Sequence, residues 1–131
     1  MEHPFTYFLL WIYLINTVLL ILHEMDSAYW KEWDVFGLGG GIAGFLWMHI
    51  PIYALALYGL VLLAQGAPAG LWFALLFGLS GFIGFGVHAY FIRKGRPEFN
   101  TPASLGLLRV WLFMSLIQEV VTISVLLQPS Q

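Results

Sequence analysis

Three histidines stand within or at the edge of long apolar stretches: His23, His49 and His88. Ionisable side chains in such stretches are costly in a membrane, and by default they mark function. Around the first, the chain reads H-E-M-D-S-A over residues 23–28. Asp26 and Ser27 follow His23 by three and four residues, so on a helix they share its face. His49 stands two residues before Pro51, which cannot donate to the carbonyl of Trp47. A kink there would expose a polar backbone group and line a cavity. Facing helices of a bundle commonly build metal sites in this way. His23, His49, His88 and Asp26 are therefore the expected ligands of a divalent metal ion. Imidazole and carboxylate suit zinc first, with iron or manganese next, and catalytic zinc keeps one position for water. Metal-bound water is a nucleophile near neutral pH. Glu24 is the expected general base for its proton, given hydrogen-bond reach. The planar fork of Arg109 would hold a substrate phosphate or carboxylate, or else pair with a buried acid. No H-E-x-x-H motif is present.

The elements that carry these residues follow from composition. Hydrophobic residues make up 60% of the 131 residues and charged ones 9%. A soluble domain this small cannot hide so much apolar surface. The chain reads as a single integral membrane domain over 1–131, an all-α bundle of four transmembrane helices. The net charge of -2 excludes an electrostatic nucleic-acid binder. The absence of cysteine excludes disulfides, thiol catalysis and iron–sulfur clusters.

Val35 to Ile92 contains no Asp, Glu, Lys or Arg. A span needs about 20 apolar residues, so this stretch holds two spans and a turn, the latter at Gln65–Gly70. The expected helices cover about 5–25, 39–64, 70–92 and 103–127, the last closing at Pro129. Met1-Glu2-His3-Pro4 lacks the basic start of a signal peptide, so the first span is expected to be retained, with His3 exposed. All five Lys and Arg fall in the first and third connections or early in the fourth span. The positive-inside rule then puts those connections in the cytoplasm and both termini outside, in a bacterial-type inner or plasma membrane. Tyr29, Trp30 and Trp33 in the first connection suit the membrane interface, on an extension of the first helix or a short surface helix. The acids beside them, Glu24, Asp26, Glu32 and Asp34, also read as a solvated charge run. Gly37/Gly41, Gly40/Gly44 and Ser80/Gly84 have small-xxx-small spacing, which suits packing within the bundle.

At the helical rise, His88 lies about 6 Å below the cytoplasmic edge, Arg109 about 9 Å and His49 about 15 Å. Glu119 is deeper, at about 24 Å. The expected site is a cavity in the cytoplasmic half, bounded by His23, His49, His88 and Arg109, with Pro51 in its wall and Glu119 of less account.

The H-E-M-D-S-A run, with Glu32-Trp33 and a histidine before proline in the second span, resembles a group of small uncharacterised integral-membrane proteins. Those carry an H-E-x-D-A motif at the end of the first helix. The run is more loosely similar to the HXXEE family of membrane proteins suspected of catalysis. Asp26 and Ser27 replace that family's paired glutamates, so a paired-glutamate role does not carry over. The resemblance implies an enzyme and names no reaction.

The preferred expectation is a membrane-embedded, metal-dependent hydrolase of a lipid or other apolar small molecule. A metal-free isomerase or cyclase of an isoprenoid-like lipid is the near alternative, with aromatic faces steadying a cation. A small oligomeric proton-coupled transporter is the non-enzyme alternative, using His, Arg109 and Glu119 as a relay. A purely structural bundle needs none of these roles. Membrane lipids and a second copy of the chain are the expected macroscopic partners.

Overall fold

The computed structural model describes residues 4–128. His3 and Pro129 lie outside them. The described residues are all helical in architecture: α1 (Pro4–Tyr29), α2 (Glu32–Val35), α3 (Gly41–Ala64), α4 (Ala69–Arg93) and α5 (Pro102–Leu126). Four of these are long and apolar enough to cross a membrane. The first span runs on to Tyr29, past the expected end at Met25. Both alternatives for the first connection occur together, because α1 extends and a short α2 follows. α2 is not simply a solvated surface turn, since Glu32 and Val35 are buried.

The long helices form a ring in the order α1, α5, α4, α3, with α1 and α4 scarcely meeting across it. α5 contributes a regular buried face: Ser104, Leu108, Trp111, Ser115, Gln118 and Thr122. That three-and-four spacing is one helix face. Opposite it, α4 presents Gly78, Gly81 and Gly84. A Cβ at Gly84 would stand 2.6 Å from the Trp111 ring, and one at Gly81 would stand 2.8 Å from the Ser115 Cβ. Lipid tails are as apolar as leucine, so close backbone approach carries this association. The small-residue stripe is therefore on α4 and includes Gly84 but is centred on glycines the spacing rule passed over. The Gly37–Gly41 run serves a turn instead: Gly37, Gly40 and Gly41 have φ of 68°, 92° and 55°.

Buried polar side chains tie the ring together. Asn16 Nδ2 donates to Gln118 Oε1 at 2.7 Å, and Gln118 Nε2 donates to the Ala74 carbonyl at 2.7 Å. α1, α5 and α4 are thus joined at one level. Tyr13 Oη donates to the Ala56 carbonyl at 2.8 Å, joining α1 to α3. At its start, α5 is capped by Thr101, whose Oγ1 accepts from the Ser104 amide at 3.1 Å, with proline next in line.

Glycine at position 84 is a packing requirement, whereas Gly86 faces open space. Gly84→Val is expected to destabilise by about 1–3 kcal/mol through overpacking against Trp111. Gly86→Ala is expected to leave stability unchanged or slightly raised. Thermal unfolding of both variants in detergent checks the contrast.

Candidate functional site

The ends of α1 and α4 and the short α2 meet at the end of the bundle that carries the first and third connections. There His23 from α1, His88 from α4 and Glu32 from α2 bring one ligand atom each to within 4.8 Å of one another. The three residues are 3%, 2% and 8% exposed. The imidazoles meet edge to face, with centroids 4.6 Å apart and planes at 89°. His88 Nε2 lies 3.8 Å from Glu32 Oε2. His23 Nδ1, His88 Nδ1 and Glu32 Oε2 are buried and lack a hydrogen-bond partner. Buried polar atoms are normally paired, so such a group calls for an explanation. Burial raises the Glu32 carboxyl above its ordinary range, and the Ser27 hydroxyl and His49 beside it oppose that rise.

Aromatic rings fix the two histidines. The Trp111 ring lies under His23 at 4.9 Å, and Phe99 meets His88 at 4.2 Å. Two residues bend the connections into this arrangement. Lys31 has φ 53° and Phe99 has φ 67°, both in the left-handed region that bulky residues rarely adopt. The turn at Lys31 starts α2 and sends Glu32 inward. Phe99 is 1% exposed and closes over His88.

Tetrahedral ligands at about 2.0–2.2 Å from an ion stand roughly 3.4 Å apart. A group spread over as much as 4.8 Å has to contract by up to about 1.4 Å to hold one. The donors themselves, two imidazoles and a carboxylate, are a set that zinc takes while keeping a fourth position open.

Glu24 and His49 form a second unit beside the first. His49 Nδ1 lies 2.6 Å from the Phe45 carbonyl, an acceptor, so this nitrogen carries a hydrogen. His49 Nε2 lies 2.7 Å from Glu24 Oε2. One proton is then shared between Nε2 and Oε2: the pair is either imidazolium–carboxylate or imidazole–carboxylic acid. With both ring nitrogens engaged, His49 has no free lone pair for an ion, and it stands outside the three-residue group. α3 continues as helix through Pro51.

Asp26 is engaged elsewhere as well. Its Oδ1 accepts from Ser104 Oγ at 3.1 Å, and Ser104 Oγ lies 2.8 Å from Thr101 Oγ1. Asp26 thus latches α1 to the capped start of α5. Arg109 is exposed and lines a cleft between α4 and α5 rather than a cavity with the histidines. Glu119 is half-buried, its carboxylate against Gly78. An apolar cleft of about 240 Å³ opens between α1, α3 and α4, with Tyr13, Leu20, Ala56, Phe73 and Phe77 among its walls. The three histidines, Arg109 and Pro51 are not in those walls, in contrast to the expected cavity. Its end at Leu20 is one turn from His23.

The fold and site define a class: a ring of four long apolar helices with a buried histidine–carboxylate group at one end. A family model described as a family of unknown function (DUF6713) matches residues 9–125, and the chain belongs to that family. No curated protein and no solved structure matches it.

His49→Leu strands the Glu24 carboxyl without its partner, and breaking a buried pair costs about 3 kcal/mol or more. Glu24→Leu/His49→Leu removes both charges and is expected to recover much of that loss. A double-mutant cycle on unfolding in detergent measures the coupling.

Proposed function

We propose that the protein is a membrane-embedded, metal-dependent enzyme, a hydrolase of a lipid or similar apolar small molecule. His23, Glu32 and His88 hold the ion, with zinc as first choice and iron or manganese next. The observation that carries this reading is the convergence of ligand atoms from three buried residues on three separate elements, each residue having a buried polar atom without a hydrogen-bond partner. A divalent ion there would supply Lewis acidity and a water of lowered pKa. The chain contributes the rest. With the shared proton held between His49 Nε2 and Glu24 Oε2, a further proton would be taken up and returned at the other carboxylate oxygen, Glu24 Oε1. Asp26 positions α1 against α5 and is not a ligand in this reading. The apolar cleft one turn from His23, reached from the lipid side, supports an apolar substrate. The loose similarity of residues 23–28 to the HXXEE proteins favours catalysis over a structural role.

The metal is tested by elemental analysis of detergent-purified protein, with and without chelation. His23→Ala, Glu32→Gln and His88→Ala are each expected to lose most of the ion. His49→Ala, Asp26→Asn and Arg109→Gln are expected to keep it. Full metal content in all of the first three variants would overturn the proposal.

The same reading places the site in the cytoplasmic half of the bilayer, with both termini outside. Its support is the gathering of Lys31, Arg93, Lys94, Arg96 and Arg109 toward one end. A reporter active only in the cytoplasm, fused after Gln131, is expected to be silent. Strong activity there would reverse the orientation.

A further inference from the structure

Between the end of α4 and the first turns of α5 lies a second cleft, of about 160 Å³. Phe85, Ala89, Ile92 and Leu105 give it an apolar floor, and Arg93 and Arg109 share its wall. Both arginines are exposed. Arg93 is the last residue of α4. Arg109 is about 10 Å into α5 by the helical rise, so it sits inside a span. The described acids are engaged elsewhere or stand apart. Glu24 faces His49, Glu32 faces His88 and Glu98 pairs with Arg96 at 3.2 Å. Asp26 meets Ser104, Glu119 lies against Gly78, and Asp34 is on α2. Neither Arg93 nor Arg109 meets a carboxylate among the described residues.

Two unpaired guanidiniums in one lipid-facing cleft are unfavourable unless an anion joins them. A guanidinium's planar fork fits a phosphate through two parallel hydrogen bonds. Lys94, next in the chain, turns its Nζ to the Tyr90 ring, 5.6 Å from its centre, and is not among the cleft's walls. With no acid nearby, the cleft favours a headgroup with net negative charge over a zwitterion, whose cationic part the cluster repels. The apolar floor beneath suits the glycerol and upper acyl carbons of the same molecule.

We infer that the Arg93–Arg109 cleft is a binding site for one anionic phospholipid of the surrounding leaflet, which places its phosphate between the two guanidiniums. The site is separate from the His23–Glu32–His88 group, and none of its lining residues belongs to that group. It stands whether or not the metal proposal does.

The test is a titration of the whole purified chain with phosphatidylglycerol and with phosphatidylcholine, read by native mass spectrometry. Wild-type protein is expected to bind phosphatidylglycerol preferentially. R93Q/R109Q is expected to lower that affinity about tenfold or more, with phosphatidylcholine binding unmoved, since each basic residue near an anionic surface contributes several-fold. R93K/R109K keeps the charge but loses the fork, and intermediate affinity is expected. R96Q removes a cation outside the cleft and is expected to change nothing. If the double variant fails to fold, R93Q and R109Q singly carry the test. Equal binding of the two lipids by wild type, or undiminished phosphatidylglycerol binding in the glutamine variants, would overturn the inference. Displacement of the lipid by millimolar inorganic phosphate would also overturn it, assigning the cleft to a free anion.

Discussion

Everything else in this bundle depends on the close approach of α4 and α5. Helices in lipid gain nothing from leaving an apolar surroundings for another, so contact must come from packing and hydrogen bonds. Gly78, Gly81 and Gly84 leave room for Glu119, Ser115 and Trp111 from α5. That approach seats Trp111 deep enough to support His23. It also brings Gln118 to the Ala74 carbonyl, and the same side chain reaches Asn16 on α1. One helix face therefore sets both the position of α1 and the floor of the candidate site.

The division of labour between helices and connections is clear in the polar groups. Mid-bundle, Asn16, Thr17, Gln118 and Thr122 make hydrogen bonds within the bundle, which is what a site without water requires. At the end bearing the longer connections, several ligand-type atoms are left unpaired. Glu24 and His49 answer each other, and Asp26 answers Ser104. His23, His88 and Glu32 remain together without a comparable partner. Asn16 Oδ1, Ser27 Oγ, Trp111 Nε1 and Ser115 Oγ are buried without a partner too, so what sets the three apart is their convergence on one point.

Much of the architecture was legible in the residues. The uncharged run from Val35 to Ile92 and its Gly/Pro turn fixed the number and order of spans, because bilayer thickness sets helix length. His23 and His88 stood out as ionisable groups in apolar helices, and the fold brings them together with Glu32. Glu32 did not. It lies in a run with Glu24, Asp26 and Asp34, and nothing in side-chain type separates the inward acid from the outward ones. The backbone at Lys31 makes that choice, and a lysine gives no sign of a left-handed φ. Asp26 was attractive because it follows His23 by three residues, but Ser104, far away in sequence, takes its oxygen. Arg109 follows the buried Leu108 by one residue, so it turns about 100° away from the core face of α5. The register of that face, set by Ser104, Leu108 and Trp111, was the signal that could have placed it outside.

The same geometry says which part of the site has freedom to move. The His23 ring is stacked near Trp111 and the His88 ring against Phe99, and both histidines belong to long helices held by the glycine contact. Neither ring can shift far without disturbing the packed face of α5 or the strained turn at Phe99. Glu32 is different. It sits on a four-residue helix between Lys31 and Gly37, two residues with left-handed backbones, and its side chain reaches across to His88 on α4. If one ion were held by all three, the carboxylate would be the donor freest to close on it, through its own torsions or a small movement of α2. In that arrangement the helices would supply two fixed nitrogen donors, and the connection the adjustable oxygen. A long, flexible acid on a short element is the side chain that can close such a gap while the bundle stays as it is.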